Sequence, residues 1–373
     1  MTKRVLLVAT VQSHIAQFHK PLMRLLKDNG WEIHVAARDN LAEKNGLSME
    51  YPDKVFDVPF RRSPIDPRNA KALRMLRRIL ADTHYDVVHC NTPVGGVLTR
   101  LAARKYRKRG TQVFYTAHGF HFYKGAPKKN WAIYYPIEKR LAPYTDKLIT
   151  INEEDERFAK ARFACKVERI HGVGANNERF YPISETEQAA QKASLGLSGH
   201  ILLNVGELLP NKNQRTAIRA MQRVVESVPD ALLLIGGNGP EKANLEQLVQ
   251  ELGLSDHVRF LGYTTKIVQY LQVADALVAC SFREGLPMNV VEAQLCGKPV
   301  IASTNRGHCE LIHDGVNGFL ADPNDPEAFA DRIVKVLSQP GAFTQAALDC
   351  AAPYAADSVR RELAAIYGVK AGR

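Results

Sequence analysis

The sequence predicts an α/β protein of two doubly wound domains, in which helices cover both faces of each parallel sheet. Its 373 residues are enough for two domains of ordinary size, each with its own core. Short β-branched runs alternate with longer amphipathic stretches, which is the pattern of parallel strands joined by helices. The alternation restarts near residue 200, so we expect the second sheet to begin there.

The first domain is predicted over residues 1–183. Its first strand is an apolar run near the N-terminus, and a longer amphipathic stretch follows most of the later strands. The predicted strands lie at residues 4–9, 31–36, 85–90, 111–116, 146–151 and 167–171. Glycine, asparagine and proline at residues 173–182, followed by a polar stretch to Leu195, are typical of a linker.

The second domain is predicted over residues 184–354, and residues 355–373 are predicted as a separate C-terminal helix. Its strands are expected at residues 200–205, 231–235, 257–261, 276–279 and 299–302. Ligands of doubly wound sheets bind at the carboxyl ends of the strands. The residues that directly follow each strand are therefore the candidates for a binding site.

Composition favours a globular protein without a membrane span. Hydrophobic residues make up 45% and charged residues 24%, and no apolar run approaches the length needed to cross a bilayer. The run from Val5 to Ala9 is too short for a signal-peptide core, so we expect a cytoplasmic protein. Six scattered cysteines without a C-x2-C pair indicate a reducing compartment and no zinc site.

Positive charge is concentrated in the first half of the chain. Residues 1–183 carry 33 Lys+Arg against 18 Asp+Glu, a net of +15, whereas residues 184–373 carry 17 against 21, a net of −4. Arginines at 74, 77 and 78 alternate with leucine and isoleucine, as on a helix at a membrane interface. Such a run is usually only a solvated face. Because one domain holds the whole excess, we nevertheless expect it to bind an anionic membrane surface or a lipid diphosphate. The contact residues would include Arg61, Arg62, Arg74, Arg77 and Arg78. Nucleic acid is not expected as a partner, because no aromatic-bearing RNA motif, zinc finger or helix-turn-helix is present.

Two carboxylates, Glu284 and Glu292, lie eight residues apart across a loop that leads into a helix predicted to begin near Met288. Unpaired amides at that helix start, together with the positive end of its dipole, could hold a diphosphate. Glu284 could accept hydrogen bonds from sugar hydroxyls, and Glu292 from a ribose diol. An isolated pair of this spacing would more often be two surface acids, one of them favoured by the helix dipole.

This pair continues into Gly297-Lys298-Pro299-Val300-Ile301-Ala302-Ser303 and Gly315-Val316-Asn317-Gly318-Phe319-Leu320. The sequence resembles the retaining glycosyltransferases of family 4, whose donor-binding half carries E-G-x-P-x4-E-A, G-x-P-V-I-A-S and G-x-N-G-F-L in this order. The resemblance covers about residues 1–340. It implies the GT-B fold, with two Rossmann-like domains facing a central cleft and a C-terminal helix that crosses back to the first domain.

The resemblance also implies roles for residues at the strand ends. In the family's V-G-R-x4-K segment the Arg and Lys bind phosphate, but here Glu207 replaces the Arg and only Lys212 remains. We expect the Glu207 side chain to turn away, onto a nearby Lys or Arg. The segment around Tyr263 matches the one whose backbone reads the nucleobase. The predicted donor-binding residues are Ser13, Gly206, Asn238, Gly262, Tyr263, Lys266, Ile267, Gly285, Leu286, Met288, Asn289, Val290 and Glu292.

In the first domain, His118 matches the histidine of the family's T-x-H-G segment, which contacts the donor sugar. It is followed by Phe120 and Phe122, which we expect to stack on sugar faces, while His121 would orient its neighbour or touch the acceptor. Ser13 is expected in a loop after the first strand, where its hydroxyl could donate to a phosphate. The predicted catalytic residues are Lys212, Glu284 and His118.

No D-x-D motif is present, so we expect neither a metal nor a cofactor, and leaving-group charge would be met by Lys212 and backbone amides. The resemblance implies a retaining transfer of a hexose or N-acetylhexosamine from a nucleotide sugar, with UDP favoured, to a polyprenyl-diphosphate-linked glycan in bacterial exopolysaccharide or capsule synthesis. The enzyme would be peripheral on the inner face of the plasma membrane. Two alternatives stay open, a UDP-sugar 2-epimerase of the same architecture and a non-catalytic scaffold, the latter favoured only by Glu207.

Overall fold

The computed structural model describes residues 2–43, 47–64 and 66–372. The chain forms two compact units, of which the first comprises Met1–Gly174 with Ala356–Arg373 and the second Ala175–Ala355. No helix among the described residues is both long and apolar enough to cross a bilayer.

The first unit contains a parallel sheet in the order β3-β2-β1-β4-β5-β6-β7. Its strands within the described residues are β1 Arg4–Val11, β2 Glu32–Arg38, β3 Lys54–Asp57, β4 Val87–Asn91, β5 Gln112–Ala117, β6 Lys147–Thr150 and β7 Lys166–Arg169. Residues Val5–Ala9 are fully buried because helices cover both faces of the sheet. Strand β3 was not predicted, because it is a four-residue edge strand with little buried surface.

The helices of the first unit lie between these strands and at the end of the chain. Those described are α1 Gln12–Phe18, α2 Lys20–Asp28, α3 Asn69–Asp82, α4 Pro93–Ala103, α5 Lys128–Leu141, α6 Glu153–Arg162 and, after the second unit, α15 Ala356–Tyr367. Helix α15 packs on α2. The buried Tyr367 hydroxyl bonds His89 Nδ1 at 2.7 Å, which joins α15 to β4.

The second unit contains a parallel sheet in the order β10-β9-β8-β11-β12-β13. Its described strands are β8 His200–Val205, β9 Ala231–Gly236, β10 Val258–Gly262, β11 Ala276–Ala279, β12 Val300–Ser303 and β13 Gly318–Ala321. Its helices are α7 Glu185–Ser194, α8 Gln214–Ser227, α9 Lys242–Glu251, α10 Ile267–Val273, α11 Met288–Leu295, α12 Arg306–Leu311, α13 Pro326–Leu337 and α14 Thr344–Ala351. Strand β13 was not predicted, since its four residues were recognised only as part of a motif.

The boundary between the units differs from the predicted one after residue 183. Ala175 already pairs with Ala355, and Phe180 is buried in the core of the second unit. These contacts assign residues 175–183 to the second unit, although their composition is that of a linker. The capping box that starts α7, in which Ser184 and Glu187 exchange hydrogen bonds, begins just after this segment.

Candidate active site

The loops after β8 and β9 pack backbone against backbone. The Gly206 amide donates to the Gly236 carbonyl at 3.0 Å, and the Leu208 amide to the Asn238 carbonyl at 2.9 Å. Gly237 has φ +144°, and a Cβ there would lie 1.9 Å from the Gly206 carbonyl oxygen. Only glycine fits this approach. The two loops therefore present Gly206 and Asn238, both predicted donor-binding residues, on one edge of the sheet.

Lys212 lies in a short turn that precedes α8. Residues Pro210–Lys212 form a single 3-10 turn, and Asn213 follows in the left-handed region with φ 53°. The side-chain Nδ2 of Asn213 donates to the carbonyls of Cys280 and Pro323, and these two hydrogen bonds fix this conformation. The aliphatic part of Lys212 then lies over Gly206.

The structure brings Lys212 and Glu284 together. The Lys212 Nζ donates to Glu284 Oε1 at 2.7 Å, and both side chains are mostly buried. The sequence assigned these two residues to different parts of one ligand and did not predict that they pair. A partly buried ion pair of this kind holds both groups in defined positions.

The loop that carries Glu284 is packed against the start of α12. A Cβ on Gly307 would lie 2.9 Å from the backbone and Cβ of Glu284, so the two segments are in direct backbone contact. The Asn305 side chain caps α12 by accepting from the amides of Gly307 and His308 at 3.0 and 3.1 Å. His308 is buried behind Glu284, and burial lowers the pKa of His308 to about 4, so this imidazole is neutral. The sequence gave no signal for Asn305 or His308.

Helix α11 begins at Met288, as predicted. Its start offers fewer amides than expected, because the Val290 amide is taken by Asn289 Oδ1 at 3.0 Å and the Val290 side chain is fully buried. The Val290 side chain therefore cannot contact a ligand, and a donor contact through its backbone stays a prediction. Asn289 also donates to the Val205 carbonyl, which ties α11 to the loop after β8.

Glu292 lies further along α11, where it is largely desolvated. Burial raises the pKa of its carboxyl to about 7, and the charge of Arg179 opposes part of this effect. Among the side chains and amides that the structure describes, none donates a hydrogen bond to it. This carboxylate is therefore available to accept hydrogen bonds from a ligand.

The predicted nucleobase segment follows β10. Gly262 has φ +64°, and its carbonyl accepts from the Gly237 amide at 2.8 Å, which links this segment to the loop after β9. The Tyr263 side chain is 66% exposed and Lys266, which caps α10, is also exposed. Ile267 begins α10 and packs into the core of the second unit.

Glu207 is exposed at the edge of the same site. The expected pairing with a nearby Lys or Arg is wrong, because no described cation lies within salt-bridge distance of its carboxylate. Lys212, which lies five residues further along the chain, is instead paired with Glu284.

In the first unit His118 belongs to a cluster of histidines at the carboxyl ends of β1, β4 and β5. Its Nε2 lies 3.2 Å from His14 Nε2 and 3.2 Å from Asn91 Oδ1. The His19 ring lies 5.6 Å from the His118 ring, and His89 is next to His19. Burial, with the neighbouring histidines, lowers the pKa of His118 well below its usual range, so the ring is neutral. The sequence gave no signal for His19 or His89, because each is a lone histidine in its segment.

The two phenylalanines after His118 do not stack on a ligand. Phe120 and Phe122 are buried in the core and stack on each other at 4.8 Å, so the prediction that they bind sugar faces is wrong. His121 is exposed and stacks on Tyr134 at 4.5 Å. A cavity of about 110 Å³ lies beside these rings and is lined by His118, His121, Tyr134 and Glu138 among others.

Ser13 does not lie in a loop, because β1 passes directly into α1. Its side chain is buried, and its Oγ accepts from the Asn40 amide at 2.9 Å while its own amide donates to Asn40 Oδ1. The predicted loop is therefore wrong, and the phosphate contact stays a prediction.

The predicted membrane helix is α3, and its apolar side is already occupied. Leu76, Ile79 and Leu80 are buried in the core of the first unit, so they cannot enter a bilayer. The basic residues of this region remain exposed: Arg61, Arg62, Arg74, Arg77 and Arg78. The apolar side of α3 is therefore not available to a membrane interface, contrary to the prediction. The basic surface formed by the five arginines is present.

The chain is similar to known glycosyltransferases in sequence and to a solved structure in fold. The model described as Glycosyltransferase Family 4 matches residues 20–173, and the model described as Glycosyl transferases group 1 matches residues 185–351. EpsD of Bacillus subtilis (strain 168), which is named provisionally as a glycosyltransferase, is 47% identical over 345 residues, covering 91% of this chain and 89% of EpsD. The UDP-Gal:alpha-D-GlcNAc-diphosphoundecaprenol alpha-1,3-galactosyltransferase of Escherichia coli is 30% identical over 308 residues, covering 79% of each chain. The crystal structure of Anabaena HepE in complex with UDP has a TM-score of 0.79 and 20% sequence identity, covering 98% of this chain and 100% of that chain. This structural similarity confirms the predicted GT-B fold.

Proposed function

Because this chain belongs to glycosyltransferase family 4, we propose that it is a retaining enzyme that transfers a hexose or N-acetylhexosamine from a UDP-sugar to a polyprenyl-diphosphate-linked glycan. The observation that carries the proposal is the Lys212–Glu284 pair, with Nζ and Oε1 2.7 Å apart beside Gly206. A cation and a carboxylate are thereby held where a leaving diphosphate and the hydroxyls of its sugar can be bound together.

The second unit would bind the donor along one edge of its sheet. Lys212 and the amides at the start of α11 would meet the diphosphate, whose charge grows as the glycosidic bond to the donor breaks. Glu292 would bind the ribose diol. The two ribose hydroxyls would donate hydrogen bonds to the Glu292 carboxylate, to which no described residue donates one. The Gly262–Tyr263 segment would meet the base.

Retention would follow from attack on the same face of the sugar, with the departing phosphate accepting the acceptor's proton. Glu284 would position the sugar rather than attack it. Glu284 and Lys212 are directly paired, which suits a positioning role better than that of a free nucleophile. We propose that Lys212 and the amides supply the charge stabilisation that a metal provides in D-x-D enzymes.

Two observations support the proposed acceptor and its location at the membrane, namely the name of one relative and the positive charge of the first unit. The galactosyltransferase of Escherichia coli is named for a diphosphoundecaprenol-linked acceptor. Arg61, Arg62, Arg74, Arg77 and Arg78 of the first unit are exposed and would attract an anionic membrane that holds such a lipid. EpsD, the 47% identical relative, supports only the broader assignment as a glycosyltransferase.

The donor part of the proposal is tested by calorimetric titration of UDP, GDP, ADP and TDP and of their common sugar conjugates, each with and without magnesium. We expect UDP and one UDP-sugar to bind without metal, and Lys212→Ala to lose most of that affinity. Binding that requires magnesium would contradict metal independence, and preference for another base would contradict the UDP assignment.

A non-catalytic scaffold has one observation in its favour, the exposed Glu207 where the family has a phosphate-binding Arg. This acid would repel a diphosphate if it turned towards it. The scaffold is favoured if no nucleotide binds to the wild type and Glu207→Arg restores binding. If the wild type binds UDP and Glu207→Arg changes the affinity little, Glu207 has no part in the site.

A further inference from the structure

Three histidines of the first unit converge on one point. Each of His14, His19 and His118 offers a ring nitrogen, and the three nitrogens lie within 4.8 Å of one another. They come from separate parts of the chain, namely α1, the junction of α1 with α2, and the loop after β5. The fold therefore assembles a set of imidazoles that is not visible as a sequence motif.

The spacing fits a transition-metal ion. The two Nε2 atoms of His14 and His118 are 3.2 Å apart. Two imidazole nitrogens that each lie about 2.0–2.1 Å from a tetrahedral Zn²⁺ are separated by about 3.3 Å. One edge of such a site is therefore already in place, and a ring nitrogen of His19 lies within 4.8 Å of both of these atoms.

His19 supplies an independent observation. Its side chain is buried, and its Nε2 has no hydrogen-bond partner among the described residues. Leaving a buried polar atom unpaired is destabilising, so native structures rarely contain one without a reason. A cation bound by the three histidines would compensate for the missing hydrogen bond of this ring.

The chemistry of the cluster selects the type of ion. All three candidate ligand atoms are imidazole nitrogens. Neutral imidazole binds Zn²⁺, Co²⁺ and Ni²⁺, whereas Mg²⁺ and Ca²⁺ require oxygen ligands. No carboxylate contributes to the cluster within the described residues.

We propose that His14, His19 and His118 form a site for Zn²⁺ or a similar divalent transition metal, with a fourth position open to water. The metal would displace the Asn91 Oδ1 contact, which lies 3.2 Å from His118 Nε2. A metal held there would occupy the lone pair of His118 and restrain its ring. This inference rests on the proposed sugar transfer and on the donor-sugar contact that the family resemblance implies for His118: occupancy by Zn²⁺ inhibits the transfer.

The test uses the full chain, stripped with a chelator and titrated with Co²⁺. The exposed Cys309 is changed to Ser in all proteins so that an accessible thiol does not bind the metal. We expect one equivalent of Co²⁺ with a visible absorption band of four-coordinate nitrogen and oxygen ligation, no sulfur charge-transfer band, and displacement by Zn²⁺. This readout needs neither donor nor acceptor, so it can succeed even if the proposed transferase activity fails.

Variants identify the ligands. His19→Gln and His14→Gln should each lower the Co²⁺ affinity by about tenfold or more, whereas the exposed His84→Gln should leave it unchanged. Circular dichroism and thermal melting check folding, and His14→Gln, at a less buried position, serves if His19→Gln does not fold. Absence of the band, or a band unchanged in both cluster variants, overturns the site. Binding without inhibition of transfer overturns only the inference about activity.

Discussion

Glu292 should give the protein a pH-dependent stability. Burial raises the pKa of this carboxyl to about 7, from an ordinary value of 4.5. The folded state therefore binds the proton more tightly than the unfolded state, so the free energy of unfolding falls as pH rises from about 4.5 to 7 and then levels off. The total loss from this group is up to about 3.5 kcal/mol, because the pKa rises from 4.5 to about 7 and each pKa unit corresponds to about 1.4 kcal/mol.

Glu292→Gln should remove that loss. We expect the variant to be more stable than wild type at pH 8 and nearly equal to it at pH 5, as measured by urea unfolding at both pH values. The exposed Asp256→Asn makes the same carboxyl-to-amide change and should show no such difference. Equal stabilities of Glu292→Gln and wild type at pH 8 would mean that this carboxyl is not desolvated as described.

The Lys212–Glu284 pair should be energetically coupled in nucleotide binding. Lys212→Ala leaves the Glu284 carboxylate unbalanced beside the diphosphate, so UDP affinity should fall by about tenfold or more. In a Glu284→Gln background the same change should cost less, and the coupling energy should lie at about 0.5–3 kcal/mol. Calorimetry on wild type, both single variants and the double variant measures it. Strictly additive losses would show that the 2.7 Å contact has no role in the binding site.

The sequence indicated which candidate residues lie at one sheet edge, but not the contacts between them. Lys212 and Glu284 follow strands that are easily recognised, so their position at one sheet edge was predictable. Their pairing depends on the left-handed turn at Asn213, which has no strong local signature. His19 could not be found, because its role depends on two histidines from distant segments.

At the scale of elements, the start of α12 should control the position of the Glu284 loop. Gly307→Ala would raise the helix propensity of α12 by about 1 kcal/mol. Its Cβ would however lie 2.9 Å from the Glu284 backbone, so the loop must shift. We expect turnover to fall by about tenfold or more with little change in melting temperature. Steady-state kinetics and a thermal melt separate the two effects.

Gly236→Ala is the matched control for that change. A Cβ at Gly236 would make only ordinary contacts, with the Ile267 side chain at 3.8 Å, the Asn204 carbonyl at 3.9 Å and the Leu261 side chain at 4.0 Å. This variant should retain most of the turnover. If Gly307→Ala is as active as Gly236→Ala, the close approach of α12 to the Glu284 loop is not required for catalysis.

The two strands that the sequence did not predict, β3 and β13, share a physical cause. Each has four residues and a neighbour on one side only, so neither needs the continuous apolar run of a central strand. The end of β1 was also predicted wrongly. The strand was expected to end at residue 9, but it continues to Val11 and passes into α1 without a loop. Elements at edges and ends are fixed by tertiary pairing, which a single sequence does not show.

On the scale of the whole molecule, the two-sheet architecture was predictable because central parallel strands are buried on both faces and therefore read as apolar runs. The boundary between the units was less predictable from the sequence. Residues 175–183 have a linker's composition, yet Ala175 and Phe180 belong to the second unit through long-range contacts. Composition reports how a segment would behave alone, whereas domain membership depends on what it packs against.

The charge asymmetry should direct the first unit to anionic membranes by electrostatic attraction alone. The apolar face of α3 is buried in the core, so Arg74, Arg77 and Arg78 act as exposed charges and not as the rim of an inserted helix. A basic residue near an anionic surface contributes about 1 kcal/mol, and salt screens this within about 8 Å at physiological ionic strength. Binding should therefore require anionic lipid and weaken steeply with salt.

Changing these three arginines to Glu should abolish co-sedimentation with vesicles that contain phosphatidylglycerol, while the variant remains folded. The control changes Arg219, Arg259 and Lys335 to Glu, which alters net charge equally at exposed sites of the second unit. If both triple variants lose binding to the same extent, attraction depends on net charge and not on this surface. If neither variant loses binding, or wild type binds neutral vesicles equally well, the basic surface of α3 is only a solvated face.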